Sequence, residues 1–377
     1  MEAHLESREQ SVSLLELFYD LVYVYAISQV TGILNSPDYS PTVMIDYLVA
    51  TFIVLQAWMY MTNYINRFGR TVRTNAVLTI NMCASIVMST AIAGSWASDL
   101  TRINRALFVM LGSVAVLYAS RLRDNKSARE MAIYSLKTLV PVCIVYLVVG
   151  IAAERLHPTL VLALDLCAIA WGIFGPAIIA PRYTLDLSLI SFPHLVERFE
   201  LITIVTFGEA VVTVAQVFHL VGLGLWSVAT FLDVAAMFGC YVVLMHNLCD
   251  HQRQHRGLRL IYCHFFVVIA VNLFTVSLNL LAGSGITRPR ICVLAAVALA
   301  LFFICLVLLA YYRRKEVVFS AAQKGALACL ACTGIAITLL GTPGGITVFL
   351  AGPLVAAGGC FAILRRIDLS LESADES

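Results

Sequence analysis

The sequence predicts an all-α polytopic membrane protein with about 12 transmembrane helices in two six-helix repeats, related by a pseudo-twofold axis along the membrane normal. Of its 377 residues, 60% are hydrophobic and only 13% are charged, and the mean hydropathy is +0.87. Soluble domains carry about 25% charged residues, so a large soluble core is excluded. Apolar runs of about 20 residues, the length that crosses a bilayer, recur along the chain. A similarity between its two halves predicts the repeats.

The apolar runs and the basic residues between them predict the topology. With the N-terminus inside, nineteen Lys and Arg residues fall on the cytoplasmic side and five on the outer side. Cytoplasmic loops are enriched in Lys and Arg, so we predict a multi-pass protein of the cell membrane with both termini in the cytoplasm. The predicted spans lie near residues 14–34, 43–64, 74–94, 103–121, 131–152, 159–180, 199–218, 223–246, 258–281, 291–312, 320–340 and 344–364.

The first and seventh spans are alike in carrying acidic residues. The first contains LLELFYDLVYVYAISQV and the seventh LVERFELITIVTFGEAVVTVA. When Glu16 is aligned with Glu197 and Phe18 with Phe199, and one residue is dropped after that, Gln29 falls opposite Glu209. An even number of spans in each half gives both halves the same orientation, as in transporters built from parallel repeats. We therefore predict a cytoplasmic segment 1–13, repeats at 14–185 and 186–366, and a cytoplasmic tail at 367–377.

Glu16 and Asp20 are four residues apart, so they share one face of the first helix. Charged side chains inside a membrane span are costly and face protein or water. Two interpretations are open. The carboxylates form a proton or cation site, or they have a structural role in which a basic residue on a neighbouring helix neutralises them or they extend to the membrane interface.

Glu209 lies near the predicted midplane of the bilayer, where it could load and release a proton or hydrogen-bond to a neighbouring helix. Arg198 precedes it on nearly the same face of that helix. His264 begins a polar stripe in the ninth span that includes Asn272, and it either relays protons or packs in the core. The candidate binding residues are Glu209, Glu16, Asp20, Glu197, Arg198, His264, Gln29 and Asn272.

Two stretches resemble a known family. LLELFYDLVYVYAISQ and His194–Val212, HLVERFELITIVTFGEAVV, are similar to the two signatures of the bacterial low temperature requirement protein A family. The resemblance implies a polytopic membrane protein; the family name records a growth phenotype rather than a biochemical activity. It carries over Glu16, Asp20, Glu197, Arg198 and Glu209 as signature positions. Glu200 departs from the pattern, because the family usually has Gly there.

Three functions are compatible with these residues. The leading hypothesis is a proton- or cation-coupled secondary transporter or ion pathway that uses the intramembrane carboxylates. The alternatives are an intramembrane enzyme acting on a lipid or prenyl substrate, and a structural or assembly subunit. The expected partners are membrane lipid and a small solute, proton or cation. No cofactor, metal or nucleic acid is expected, and the oligomeric state is open.

Overall fold

The computed structural model describes residues 11–34, 40–95, 99–222, 224–252, 255–282 and 288–375. Within these ranges the chain is helical, with no β-strand beyond an isolated bridge between Cys249 and Arg313. Most of the predicted N-terminal segment 1–13 lies outside the described residues. The helices are α1 (Leu14–Ile33), α2 (Pro41–Phe68), α3 (Val72–Ser95), α4 (Leu100–Ser120), α5 (Lys126–Ala152), α6 (Pro158–Ile179), α7 (Phe192–Val221), α8 (Leu225–Val242), α9 (Leu258–Ala282), α10 (Arg288–Leu309), α11 (Ala321–Pro353) and α12 (Gly359–Asp375).

Ten helical stretches among the described residues are long and apolar enough to cross a membrane. This confirms a multi-pass membrane protein, and the difference from the expected twelve spans has two sources. Helix α1 is not among the ten, because acidic and tyrosine residues lower its hydropathy. The stretch from α11 to α12 counts as one continuous span, Ala321–Ser373. The count of twelve and the symmetry between the halves stay predictions.

The chain forms two compact units. The first contains residues 1–201 and 254–258, and the second contains residues 202–253 and 259–377. In the first unit, α1 packs against α2 and α3, α4 packs against α3 and α5, and α2 also contacts α4 and α6. In the second unit, α10 and α8 both pack against α11, and α12 packs against α8.

The start of α7 lies further upstream than the predicted span. The helix begins at Phe192, and Arg198 lies nearly two turns inside it with 0% exposure. Because the seventh span was predicted to begin near residue 199, Arg198 is one of the nineteen basic residues that were predicted to be cytoplasmic. An arginine that is both helical and buried belongs instead to the interior of the first unit.

Two glycines set chain reversals. Gly69 ends α2 with φ of 70°, a left-handed conformation that favours glycine, and its N–H donates to the carbonyl of Ile65 at 2.8 Å. Gly345 interrupts α11 with φ of 82°. The chain folds back there: Cys360 donates to the carbonyl of Leu327 at 3.6 Å.

The two limbs of the α11–α12 hairpin approach closely at Gly334. A Cβ atom on Gly334 would lie 2.7 Å from the backbone nitrogen of Ala356 and would overlap the carbonyl oxygen of Gly352. Small residues at helix contacts let the backbones of membrane helices come close, and van der Waals packing then holds them together. The hairpin therefore depends on the absence of a side chain at position 334.

We expect Gly334→Ala to destabilise the protein by about 1–3 kcal/mol, because the added methyl group overpacks a backbone contact. Gly325→Ala is the matched control, since nothing lies within 4 Å of a Cβ at that position in the same helix. Thermal unfolding of both variants in the same detergent measures the difference. Equal melting temperatures for the two variants would contradict the close approach.

Candidate functional site

The site begins at the first turn of α1, where Ser13 and Glu16 form a capping box. The Ser13 hydroxyl accepts a hydrogen bond from the Glu16 N–H at 3.3 Å, and Oε2 of Glu16 accepts from the Ser13 N–H at 3.0 Å and from its hydroxyl at 2.7 Å. A capping box satisfies backbone donors that a helix start leaves unpaired. One carboxylate oxygen of Glu16 is thus used by its own helix, and the other is available to a neighbour.

Asp20, one turn further along α1, forms a buried ion pair with Arg198 of α7. Nη2 of Arg198 donates to Oδ1 of Asp20 at 2.7 Å, and Nε1 of Trp58 donates to the same oxygen at 2.7 Å. All three side chains are at most 2% exposed. Each of these buried charges requires the other as a partner, because an unpaired charge in the interior would carry a large desolvation free energy.

Aromatic rings surround the guanidinium group of Arg198. Its central carbon lies 6.0 Å from the ring centre of Tyr19 and 5.6 Å from that of Trp58. Phe199 packs edge-on against Trp58 with ring centres 5.1 Å apart. Arginine tolerates such surroundings better than lysine, since its planar group stacks on aromatic faces and is less strongly hydrated.

Glu16 is the end of a second buried chain of polar groups. Its Oε1 lies 3.0 Å from Nε2 of His194, and Nδ2 of Asn66 donates to the carbonyl of Ser191 at 2.6 Å and lies 3.2 Å from Nδ1 of His194. Because Nδ1 accepts from Asn66, the neutral ring carries its hydrogen on Nε2 and donates to Glu16. Nε of Arg70, a side chain 36% exposed, lies 3.7 Å from Oε2 of Glu16.

The two acid–base pairs are in register. Glu16 bonds to His194 and Asp20 bonds to Arg198, and both pairs are separated by 178 residues. Glu16 and Asp20 are four residues apart on α1, and their partners His194 and Arg198 are four residues apart on α7. The two helices therefore run in the same direction over this turn. We call these four residues, with Trp58, the charge ladder.

Hydrogen bonding in the charge ladder is incomplete. Oδ2 of Asp20 and the Nε and Nη1 atoms of Arg198 have no hydrogen-bond partner in the described part of the chain, although all three are buried. The remaining contact of Arg198 is long, with Nη2 3.4 Å from the hydroxyl of Thr62. The ion pair therefore keeps one acceptor and two donors with which it can bind water or a small polar solute.

The other predicted residues of the first unit lie outside the ladder. Glu197 is exposed, although it is next to the buried Arg198 in α7. Gln29 is half-buried in α1, nine residues beyond Asp20, which is about 13 Å along a helix. The structure thus brings together Glu16, Asp20 and Arg198 from the predicted set.

Three predicted residues belong to the second unit. Glu209 is half-buried in α7. His264 is fully buried, with Nδ1 donating to the carbonyl of Leu260 at 2.7 Å and Nε2 2.9 Å from the hydroxyl of Tyr241. Both ring nitrogens are engaged by protein groups, which fits the packing interpretation. Asn272 is 1% exposed, and neither atom of its amide group has a hydrogen-bond partner among the described residues.

The sequence interpretation missed His194, Trp58 and Asn66 as site residues. His194 stood in the second signature, four residues before Arg198, and that spacing mirrors the spacing of Glu16 and Asp20. Two complementary i, i+4 pairs on separate helices were the available signal. Nothing in the spacing pointed to Trp58 or Asn66, because both come from α2 and reach the ladder through the tertiary fold alone.

Comparison with known proteins identifies the family. A family model described as bacterial low temperature requirement A protein (LtrA) matches residues 11–358. An uncharacterized protein of Rhizobium meliloti is 26% identical over 230 residues, which are 56% of this chain and 52% of that protein. The chain thus spans about half the length of this relative. No solved structure matches the chain significantly. Because the family model covers nearly all of the sequence, including the whole charge ladder, the protein belongs to the bacterial low temperature requirement A family.

Proposed function

We propose that this protein is a proton-coupled secondary transporter or proton pathway in the cell membrane, and that the charge ladder carries the proton. The observation that supports the proposal most directly is the buried ion pair of Asp20 and Arg198, in which several hydrogen-bonding atoms lack partners. Buried ion pairs contribute little net stability, since desolvation offsets their attraction. In membrane proteins, ionisable groups inside the helix bundle often mark proton or substrate pathways.

The ladder offers an ordered route for a proton. Arg70 is 36% exposed and lies beside Glu16, which bonds to His194; Asp20 follows one helical turn deeper, about 6 Å along the axis. Carboxylate and imidazole groups in sequence form the usual relay in proton pumps and transporters. We propose that a proton enters near Arg70, passes through Glu16 and His194, and reaches Asp20.

Protonation of Asp20 is the proposed coupling step. A neutral Asp20 attracts the guanidinium group of Arg198 much less strongly. The N–H groups of Arg198 that had pointed at Asp20 are then free to bind another acceptor. Loss of the proton restores the ion pair. Arg198 would therefore have two arrangements, paired with the ionised Asp20 or released from the protonated Asp20. Such a two-state equilibrium, shifted by one proton, is what coupling requires. The solute that would use the released donors is a small molecule with acceptor oxygens.

The second unit contributes Glu209 to this proposal. Glu209 is half-buried in a helix that is long and apolar enough to cross a membrane. We keep it as a second proton-binding residue on the strength of its position within that span.

A lipid partner is supported by an apolar crevice in the second unit. The crevice has a volume of about 560 Å³, and Arg313 and Lys324 lie among its otherwise mainly apolar lining. Basic residues beside apolar grooves suit anionic lipid head groups. Among the described residues that line the crevice there is no Asp or Glu to supply an acid for proton-transfer chemistry on a lipid. The crevice therefore fits a site that binds a lipid better than a site that chemically converts one.

We expect purified protein in liposomes to dissipate an imposed pH gradient, read by a trapped pH-sensitive dye. Asp20→Asn and Glu16→Gln should slow the flux by about tenfold or more, because each removes a proton-carrying group without changing its shape. Glu209→Gln should slow it as well. Glu197→Gln is the matched control: it removes a carboxylate from the exposed face of α7, next to Arg198, and should leave the flux unchanged.

Two outcomes would contradict the proton pathway. In the first, wild-type protein leaves the gradient intact. In the second, Asp20→Asn carries as much flux as wild type while its melting temperature falls, which would assign the ladder to assembly or stability alone.

The topology is tested separately with reporter fusions. We expect a fusion after residue 366 to give fluorescence with green fluorescent protein and no activity with alkaline phosphatase, because basic residues crowd the segments predicted to be cytoplasmic. A fusion beside Arg155, in a segment predicted to be outside, should give the reverse pattern. Phosphatase activity at the C-terminal position would overturn the predicted orientation.

A further inference from the structure

A second buried polar cluster lies in the first unit and is separate from the charge ladder. Asp165 of α6, Asn104 of α4, Tyr146 of α5 and Gln56 of α2 are each at most 1% exposed. Nδ2 of Asn104 lies 3.3 Å from Oδ2 of Asp165, and the hydroxyl of Tyr146 donates to Oε1 of Gln56 at 3.2 Å. Four helices thus bring four polar side chains to one region.

The fold makes room for this cluster at Gly172. The amide group of Gln56 fills the space that a Cβ atom on Gly172 would occupy, and the hydroxyl of Tyr60 donates to the carbonyl of Gly172 at 3.2 Å. The glycine allows α2 and α6 to approach, which holds Gln56 near the helix that bears Asp165.

Several atoms of the cluster are buried and lack partners. They are Oδ1 of Asp165, Oδ1 of Asn104 and Nε2 of Gln56, none of which finds a hydrogen-bond partner within the described ranges. Buried polar atoms are usually paired with protein groups or with ordered water, so three unpartnered atoms in one cluster point to a bound water or ligand.

Asp165 also lacks a basic partner. Within the residues that the structure describes, no Lys, Arg or His forms an ion pair with it. Arg105, the neighbour of Asn104, donates instead to the carbonyl of Gly150 at 2.7 Å. The contrast with Asp20 is direct, because Asp20 is paired with an arginine, whereas Asp165 is hydrogen-bonded to the neutral amide of Asn104.

We propose that Asp165 and Asn104 bind a monovalent metal cation, of the Na⁺ or K⁺ class, inside the first unit. The unpartnered carboxylate and amide oxygens are the hard ligands that such ions prefer. One carboxylate balances one positive charge, which favours a monovalent ion over a divalent one in a dry interior. Ordered water would complete the coordination of the ion and accept from the buried Nε2 of Gln56.

The full-length protein in nanodiscs tests the site through its melting temperature in NaCl, KCl and choline chloride at equal ionic strength, at about pH 8. A ligand that binds only the folded state raises stability in a saturable way. We expect Na⁺ or K⁺ to raise the melting temperature of wild type by a few degrees over choline. Asp165→Asn should abolish this difference, and Asn104→Ala should weaken the apparent affinity by about tenfold.

Asp46→Asn is the matched control, since it removes a half-buried carboxylate from α2 and should leave the cation response intact. Equilibrium binding of radioactive sodium to wild type, with unlabelled Na⁺ and K⁺ as competitors, provides a measurement that does not depend on any variant folding. One saturable site per chain is the expected result. Identical melting temperatures in the three salts with no saturable binding, or an unchanged cation response in Asp165→Asn, would overturn the proposal.

Discussion

The ion pair between Asp20 and Arg198 is the constraint on which the first unit depends. A membrane interior offers no bulk water to a charge, so each buried charge has to meet a partner inside the protein. This requirement sets the register between α1 and the start of α7, and the Glu16–His194 pair repeats the same offset one turn away. Trp58 of α2 donates to the same carboxylate oxygen and ties a third helix to the pair.

Buried acidic side chains in the first unit have two kinds of surroundings. In the charge ladder, each carboxylate has a basic neighbour, and incomplete hydrogen bonding leaves capacity for water or a solute. In the second cluster, Asp165 meets Asn104 alone and has no ion-pair partner in the described part of the unit. The carboxylate of Asp20 is a candidate for proton exchange, because its protonation would release donors of Arg198, whereas a carboxylate beside a neutral amide suits a bound cation. The two clusters therefore support two different chemistries.

Much of the fold could be read from the sequence because spans in a membrane must be long, apolar and helical. Helices α1 to α10 lie close to the predicted spans, whereas α11 and α12 have other bounds than the last two predicted spans; Gly345 lies where the predicted spans 320–340 and 344–364 meet. Glu16, Asp20 and Arg198 were predicted from their cost in an apolar span, and the structure places a basic side chain beside each of the two acids. Partners such as Trp58 and Asn66 could not be predicted, because composition and spacing do not encode which helices become neighbours.

A double-mutant cycle across the ion pair tests the central claim most directly. The free energies of unfolding of wild type, Asp20→Asn, Arg198→Gln and the double variant give the coupling energy between the two side chains. Each single variant leaves one buried group without its partner, so we predict that the double variant loses less stability than the sum of the single losses, by about 1–3 kcal/mol. Additive losses would show that the two charges do not stabilise each other, and would contradict the account.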